Sequence, residues 1–320
     1  MDMITLRIRP LSSFGTPLLG DTLFGQLCWT IRHQAGEARL RELLDGYLTG
    51  QPFAVVADAL PTGYLPRPAL PLSGFEPPAD ADRKRLKKRQ WIPHDALSQP
   101  LRSWLKVAHS DQEVTGKPDL SLRESWPQPH NSINRQTGTT GEGGFAPYMM
   151  SQIGFAPGVT LDLHLVFDPA RLDKSELQAW FSGIGATGFG RDASIGLGKF
   201  AVLEVVETGL TAQTSANAYL TLAPCAPQGC GFLPDASRYQ PFTRFGRHGD
   251  LAVQSGQPFK TPVLLIAAGA VLKPARYVET GFVGQGLGGD GRLSRAIAET
   301  VHQGYAPVVG ISLPAWEKPV

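Results

Sequence analysis

Residues 160–207 read TLDLHLVFDPARLDKSELQAWFSGIGATGFGRDASIGLGKFAVLEVVE. Apolar and polar side chains alternate over 161–167, which predicts a strand with one buried face. Asp173 then precedes apolar positions at helical spacing, where it is placed to cap a helix. A glycine-rich loop at 183–198 follows, and FAVLEVVE has the composition of another strand. The stretch therefore predicts a strand, a helix, a loop and a second strand in succession.

The beginning of the chain has a similar pattern. Residues 2–9 alternate as a strand does, and a turn-rich loop, SSFGTPLLG, leads to an apolar helical stripe. Asp21 stands at the expected N-cap of that helix, and we assign Phe14, Gly20 and Asp21 to a structural loop. Five prolines punctuate 52–72 and favour short strands and turns. Residues 1–208 thus follow the order of the ferredoxin-like fold, β–α–β–β–α–β.

An arm of different character interrupts this order at residues 76–150. It carries a basic run, is polar and proline-bearing, and shows few periodic apolar positions. We interpret it as a long insertion rather than core. A structureless loop of this length is unusual inside a compact domain, so we expect a functional extension or a segment that orders on a partner. Beyond residue 208 the pattern offers short strands and one helical segment, 292–302.

Composition limits the classes of protein that the chain can represent. Its 320 residues correspond to roughly two domains, and 42% hydrophobic residues indicate a globular protein. A net charge of +2 excludes a surface that is basic throughout, although local basic patches remain. Three cysteines are too few for a disulfide framework, and the histidines show no metal-ligand spacing. We expect no metal and no cofactor.

Targeting signals are not evident in the sequence. The N-terminus, MDMITLRIRP, lacks the apolar region of a signal peptide. The longest apolar stretch, 262–272, is shorter than the roughly 20 residues that span a bilayer. We therefore expect a cytoplasmic protein without membrane contact.

The glycine-rich loop contains the pattern G-x-G-x-x-G but follows a helix and leads into a strand. A dinucleotide site needs the opposite order, so that a helix N-terminus meets the pyrophosphate. Six glycines within sixteen residues allow close approach by another chain. Together with neighbouring polar and basic side chains they suit a phosphodiester backbone; the candidates are Gly188, Gly190, Arg191, Ser194 and Lys199. A merely tight connection between helix and strand is the alternative.

The basic run places six cations within residues 83–89, and each cation that neutralises a phosphate releases counterions. The candidate RNA contacts are Lys84, Arg85, Lys87, Lys88 and Arg89. Trp91 follows and offers a surface for base stacking. The alternative is a solvated charged surface, partly offset by Asp80 and Asp82.

A second candidate segment, HNSINRQTGTT at 130–140, concentrates amides, hydroxyls, a guanidinium and an imidazole. Such groups are suited to RNA bases and 2′-hydroxyls. The candidates are His130, Asn131, Asn134, Arg135 and Thr137. An ordinary polar surface loop is the alternative.

Five segments occur in an order that resembles the RAMP proteins of CRISPR antiviral systems. They are GTPLLGDTLFGQLCW at 15–29, LPRPALPL at 65–72, IPHDAL at 92–97, HNSINRQTGTT at 130–140 and GFGRDASIGLGKF at 188–200. The sequence is most similar to the Csm-type subunit four of type III-A effector complexes. The resemblance continues more weakly through PVLLIAAGAVL and HQGYAPVVGISL.

The resemblance implies an α+β fold of two ferredoxin-like (RRM-like) domains with a long thumb-like insertion in the first. These would be residues 1–208, with the arm at 76–150, and a degenerate domain at 209–320. It implies a non-catalytic subunit that holds the repeat-derived 5′ tag of the CRISPR RNA (crRNA). The implied protein partners are the large palm-domain polymerase/cyclase-like subunit and a backbone RAMP subunit, with target RNA met only indirectly.

The implied roles can be assigned by segment. Arg191, Ser194 and Lys199 would position the tag backbone, the 130–140 segment would contact bases or sugars, and the basic run would cross the RNA near the junction of tag and guide. The sequence departs from relatives at Asp192, which adds an acidic residue to the loop. An alternative is a RAMP endoribonuclease that processes precursor crRNA, with His33 or His94 as general acid or base. A small-molecule enzyme using the glycine-rich loop is a third class.

Overall fold

Two four-stranded antiparallel sheets form the framework of the chain. The computed structural model describes residues 1–76, 78, 82–117, 119–207, 209–249, 253 and 256–314. The strands are β1 Asp2–Pro10, β2 Ala54–Pro61, β3 Tyr64–Pro66, β4 Trp91–Pro93, β5 Arg123–His130, β6 Tyr148–Phe155, β7 Leu161–Phe167, β8 Phe200–Glu207, β9 Ala218–Thr221, β10 Pro241–Arg244, β11 Val263–Ile266, β12 Val271–Leu272, β13 Phe282–Gly288 and β14 Val301–Ile311. The helices are α1 Gly20–Ala35, α2 Glu37–Leu44, α3 Arg83–Lys88, α4 Trp104–Val107, α5 Asp111–Thr115 and α6 Lys174–Thr187.

The first sheet has the strand order β2–β7–β1–β8, with every neighbouring pair antiparallel. Helix α1 connects β1 to β2, and α6 connects β7 to β8. The two helices contact each other and share one hydrophobic core with the sheet. The cap predicted for α6 is confirmed, because Asp173 accepts hydrogen bonds from the N–H groups of Ser175 and Glu176 while Glu176 completes a capping box.

Strand β7 differs from its predicted pattern, because both of its faces are buried. Asp162 accepts a hydrogen bond from Arg7 Nε at 2.9 Å, and His164 Nδ1 lies 2.8 Å from Thr5 Oγ1. The His164 ring also packs against His94, with 5.9 Å between ring centroids. Polar residues at alternate positions predicted a solvated face, but Arg7 and Thr5 of the neighbouring strand β1 pair with them, and His94 of the inserted segment packs on His164.

The second sheet has the order β12–β9–β14–β13 and joins the first through side-chain hydrogen bonds. Gln303 on β14 donates to Val56 O at 2.8 Å and accepts from Val56 N at 2.8 Å. The hydroxyl of Tyr305 donates to Tyr47 O at 2.6 Å. A further ribbon of β10 and β11 lies outside this sheet.

The arm contains more core than its sequence predicted. Between residues 86 and 122, apolar side chains form a cluster with Leu60 and with residues of the second sheet. Trp104 and Ile92 are fully buried in it. The spacing of these side chains is irregular because turns and very short helices carry them, so no helical or strand period was visible. Trp91 is also buried, with Nε1 bonded to Asp111, and so it is not an exposed stacking surface.

The helix predicted for residues 292–302 is wrong, since turns occupy this segment until β14 begins at Val301. Ser294 Oγ accepts hydrogen bonds from the N–H groups of Ala296 and Ile297, a local pairing that competes with helix formation. Among the described residues, no helix is long and apolar enough to cross a membrane.

Candidate nucleic-acid interface

The glycine-rich loop, 183–198, begins inside the last turns of α6 and folds back tightly on itself. Gly188 ends the helix with φ 104°, a conformation that favours glycine. Phe189 N–H donates to Gly198 O at 2.9 Å, and a Cβ on Gly198 would lie 2.1 Å from Phe189 O. Close contact between the two limbs of the loop therefore requires glycine, independently of any ligand.

Residues 11–19, which we call the entry loop, lie against the glycine-rich loop. Lys199 N–H donates to Ser12 Oγ at 2.9 Å, and Arg191 N–H donates to Thr16 Oγ1 at 2.9 Å. These contacts use backbone donors, whereas the side chains of Ser194 and Lys199 are exposed. The loop is thus a braced structure that leaves those two polar side chains free to reach a ligand.

Strands β5 and β6, with the connecting residues 131–147, form a hairpin that starts at the entry loop. Phe14 is fully buried and exchanges two backbone hydrogen bonds with Ile153, at 2.8 and 2.9 Å. Its ring meets Phe155 edge to face, with centroids 5.6 Å apart. Phe14, which the sequence assigned to a structural loop, anchors the hairpin base, and most of the hairpin beyond that base is exposed.

Arg191 connects the glycine-rich loop to the hairpin. Its guanidinium donates to Ser151 O, lies 3.9 Å from Met150 Sδ, and donates from Nε to Asp192 Oδ2 at 3.2 Å. Asp192 itself adopts φ 67°, the one positive φ at a non-glycine residue within the described chain. Protein groups therefore occupy much of the hydrogen-bonding capacity of Arg191, which sequence reasoning assigned to the RNA backbone.

The residues predicted to contact bases lie at the tip of the hairpin. His130 ends β5, and its ring stacks on Tyr148 with centroids 5.4 Å apart. Asn134 Oδ1 accepts from Gln136 N–H at 2.9 Å, and Thr137 Oγ1 lies 3.0 Å from Thr139 Oγ1. Asn131 and Arg135 have exposed side chains. The tip thus combines two free polar groups with three that also brace its turn.

The tip of the hairpin lies away from the point where the glycine-rich loop contacts it. Arg191 meets the hairpin at Ser151, which pairs with Pro127, whereas the last pair of the ribbon is His130 with Tyr148. Three residues of extended strand separate these points, or about 10 Å. Eight continuous pairs separate the tip of the ribbon from its base, so tip and loop form two separate contact areas.

Helix α3 carries most of the basic run. Leu86 is buried, whereas the side chains of Lys84, Arg85, Lys87 and Lys88 are exposed. Arg89 forms an ion pair with Glu113 on α5 at 3.1 Å, and the neighbouring Asp111 lies 3.4 Å from Arg123 at the base of the hairpin. Through α5, the basic helix is therefore fixed beside the hairpin base, with five exposed cations once Arg83 is included.

Asp21 is not the N-cap that its position predicted. Helix α1 begins at Gly20, its N-cap is Leu19, and no side chain caps it. The carboxylate of Asp21 is buried and accepts two hydrogen bonds from Arg244, and His302 Nε2 lies 3.3 Å away. Burial alone would raise the pKa of Asp21, but His302 and Arg244 hold it below its ordinary value. A buried carboxylate with distant cationic partners cannot be distinguished from a cap by sequence alone.

Sequence reasoning missed Asp58, a single acidic residue inside the apolar strand β2, AVVADALP. Its side chain is buried, and Oδ1 accepts a hydrogen bond from Gly20 N–H at 2.8 Å. Burial raises the pKa of Asp58 to about 8, although the Gly20 bond acts in the opposite direction. The signal that would have indicated it is an acidic residue flanked by apolar residues on both faces of a strand.

Within the described ranges, no group of three or more His, Cys, Asp or Glu side chains is arranged to hold a metal ion. The exposed side chains of the hairpin and of α3 include cations, amides and hydroxyls, beside the exposed apolar residues Ile133, Phe145, Tyr148 and Met149. Such a set binds and positions a polyanion.

Solved structures share this mixed α/β, RAMP-like architecture. The Csm4 chain of the Csm1–Csm4 cassette in complex with pppApA is 16% identical, with a TM-score of 0.60, and the match covers 98% of each chain. The Csm4 chain of the Csm3–Csm4 subcomplex of the type III-A CRISPR-Cas interference complex is 14% identical, also with a TM-score of 0.60, over 98% of this chain and 100% of that chain.

These structures confirm the predicted resemblance at the level of the fold, which is Csm4-like over almost the whole chain. Identities of 14–16% show the fold alone. No family model matches the sequence, and no curated protein matches it.

Proposed function

We propose that the chain is a non-catalytic, RNA-binding subunit of a type III CRISPR effector complex and holds the 5′ tag of crRNA. The observation that carries this proposal is the Csm4-like fold, which extends over 98% of this chain and of the Csm4 chain solved with Csm1. The proposed partners are a large palm-domain subunit and a backbone RAMP subunit, with target RNA met indirectly, in the cytoplasm.

The finer architecture belongs to the same proposal. Residues 1–208 would be a ferredoxin-like domain, which the strand order β2–β7–β1–β8 with two crossing helices supports. The hairpin would act as its thumb. Residues 209–320 would be a degenerate ferredoxin-like domain, which the four-stranded antiparallel sheet β12–β9–β14–β13 supports.

The surface around the hairpin base supports RNA as the ligand. Five exposed cations on α3 lie beside it through α5. Ser194 is exposed on the glycine-rich loop that Arg191 ties to β6, and Lys199 is exposed directly after that loop. Flexible cations next to a braced loop suit a phosphate backbone, while the separate amide-rich tip suits base edges or sugars.

The non-catalytic role is supported by the surroundings of His94, one of the two candidates for acid–base catalysis. Its Nε2 atom is buried, and burial lowers the pKa of the ring. A scissile 2′-hydroxyl has no direct path to that nitrogen. Incubating the purified protein with repeat RNA in the absence of metal tests the rival endoribonuclease. We expect intact RNA, whereas cleavage that His94→Ala or His33→Ala abolishes would support the rival.

Reconstitution tests the subunit role. The protein co-expressed with the palm-domain subunit, the backbone subunit and a crRNA should purify as one particle. Removing residues 131–147 from the hairpin, with a short glycine linker in their place, should preserve the fold but reduce the retained crRNA. A chain that purifies alone, without RNA or either subunit, would contradict the proposed function.

A further inference from the structure

A small cavity lies where the hairpin base, the entry loop and β2 meet. Its volume is about 80 Å³. Apolar and aromatic side chains form most of its wall, with Asp58 and Arg123 as the charged residues; the principal apolar contributors are Phe14, Leu60, Trp91, Ile153 and Phe155. The cavity is therefore an apolar recess that contains one buried carboxyl group.

The carboxyl group of Asp58 has unused hydrogen-bonding capacity. The residue is 8% exposed, and its one side-chain bond within the described chain is the one that Oδ1 accepts from Gly20. A carboxyl that lines a cavity and has a free oxygen is thus suited to bind a ligand there.

The cavity adjoins the path proposed for RNA. Ile153 on its wall is two residues from Ser151, the residue that Arg191 contacts from the glycine-rich loop. Arg123 at the cavity also lies over Trp91, with Cζ 5.7 Å from the ring centroid. A strand of RNA that runs from the glycine-rich loop along the hairpin base would pass this position.

We propose that the cavity takes the edge of one unstacked nucleobase of the bound RNA and that Asp58 hydrogen-bonds that edge. This inference rests on the proposed RNA-binding function and assigns a base-reading position to it. The volume is about half that of an apolar cavity of about 150 Å³ that holds benzene. One edge of a ring would enter, while the ribose and phosphate stay outside.

The chemistry of Asp58 favours a base over other groups on RNA. Nucleobase edges place hydrogen-bond donors beside acceptors, whereas a phosphate offers acceptors and negative charge. Because burial raises its pKa to about 8, Asp58 carries a proton at neutral pH and both donates and accepts. Asp21, Arg244 and Arg123 are the charged groups that act on it, and Asp21 favours the protonated form.

An abasic scan tests this proposal on the full-length protein. The probe is a fluorescent RNA carrying the 5′ tag of the native repeat, in which one tag nucleotide at a time lacks its base. We expect one position at which loss of the base weakens binding at least fivefold. In Asp58→Leu, which is close in size but cannot hydrogen-bond a base edge, that penalty should fall below twofold. Ala59→Leu, which fills the cavity beside Asp58, should remove the penalty as well.

Asp45→Asn is the matched control, since Asp45 is exposed and distant from the hairpin, and its scan should equal that of the native protein. Melting temperatures of all variants establish that each is folded. If the native protein binds the RNA but loss of any single base weakens binding by less than twofold, the cavity proposal fails while the RNA-binding function stands. The proposal is also wrong if loss of that base still weakens binding at least fivefold in both the Asp58 variant and Ala59→Leu.

Two further outcomes are decisive. If both variants keep the base penalty but lose capture of the palm-domain subunit, a protein side chain fills the cavity and the proposal is wrong. If the native protein binds no tagged RNA at all, the proposed function fails and this inference fails with it.

Discussion

Asp21 and Arg244 are 223 residues apart in the chain and form a two-pronged ion pair, with Arg244 Nε 2.7 Å from Oδ2 and Nη2 3.0 Å from Oδ1. The carboxylate side chain is 0% exposed and the guanidinium 19% exposed. The pair fastens the start of α1, at the edge of the first sheet, to the β10–β11 ribbon. It is a tertiary link between the two halves of the chain and stands where the sequence predicted only a local cap.

Removing one partner of this pair should destabilise the protein strongly. Asp21→Asn or Arg244→Met leaves a buried polar group without its counterpart, a change that typically costs about 3–5 kcal/mol. We expect the double variant to lose less than the sum of the two single variants, because the pair acts as a unit. Urea denaturation measures all three. Arg41→Met is the control, since its pair with Glu37 is exposed and worth about 0.2–1 kcal/mol. Equal losses for Arg41→Met and Arg244→Met would contradict the role of the buried pair.

The stability of the native protein should depend on Asp58 between about pH 4 and pH 8. The folded state raises the pKa of Asp58 to about 8 from its ordinary value of 3.8, so within this window it holds a proton that the unfolded chain releases. The contribution of protonated Asp58 to the free energy of unfolding is therefore fully present below pH 3.8. It is lost as pH rises towards 8, with a slope of at most about 1.4 kcal/mol per pH unit. Asn does not titrate, so native protein should lose stability relative to Asp58→Asn from pH 5 to pH 8. Denaturation series that run parallel over that range would show that Asp58 does not titrate as described.

Two glycines on α1 should respond in opposite ways to alanine. A Cβ on Gly20 would lie 2.1 Å from Val56 O, so Gly20→Ala should destabilise the fold by about 1–3 kcal/mol through overpacking. A Cβ on Gly25 meets no atom within 4 Å, so Gly25→Ala should stabilise it by about 0.5–1 kcal/mol through helix propensity. Thermal melting compares the two variants. The same sign of change in both would argue against the close approach of α1 to β2.

Cations in the candidate interface should separate into two kinds by salt dependence. Lys87 and Lys88 are exposed, so replacing either with Ala should weaken RNA binding and lower the slope of log K against log salt by about one. Arg191 is bound to the hairpin, so Arg191→Ala should weaken binding with little change in slope. Binding titrations from low to moderate salt measure both, with exposed Arg276→Ala as the control. Slopes that stay unchanged in Lys87→Ala and Lys88→Ala would mean that α3 is only a solvated surface.

Periodic segments were predicted well from the sequence. The alternation at 2–9 and 161–167, and the cap at Asp173, correspond to β1, β7 and α6 in the structure. These features depend on neighbours a few residues away, which a sequence displays directly. The buried polar face of β7 was missed because the segment that covers it belongs to the irregular arm.

Contacts between distant residues could not be predicted in the same way. Asp21 and Arg244 carry no sequence signal of their pairing, and an acidic residue before an apolar helix is typical of a cap. The cluster around Trp104 lacks a period because turns present its side chains to the core. The exposed cations of α3 follow from charge density, whereas the contact of Arg191 with Ser151 requires the tertiary fold.

The central claim is that this chain recognises the 5′ tag of crRNA, and the hairpin tip provides its most direct test. The measurement is the affinity of native protein, Asn131→Ala and Arg135→Ala for a tagged RNA and for one with a scrambled tag. Both side chains are exposed, whereas Asn134 also braces the turn through Gln136, so Asn134→Ala reports local structure.

We expect native protein to prefer the tagged RNA, and Asn131→Ala and Arg135→Ala each to lose about 1–3 kcal/mol of that preference at an unchanged melting temperature. Equal affinity of native protein for tagged and scrambled RNA would contradict the account.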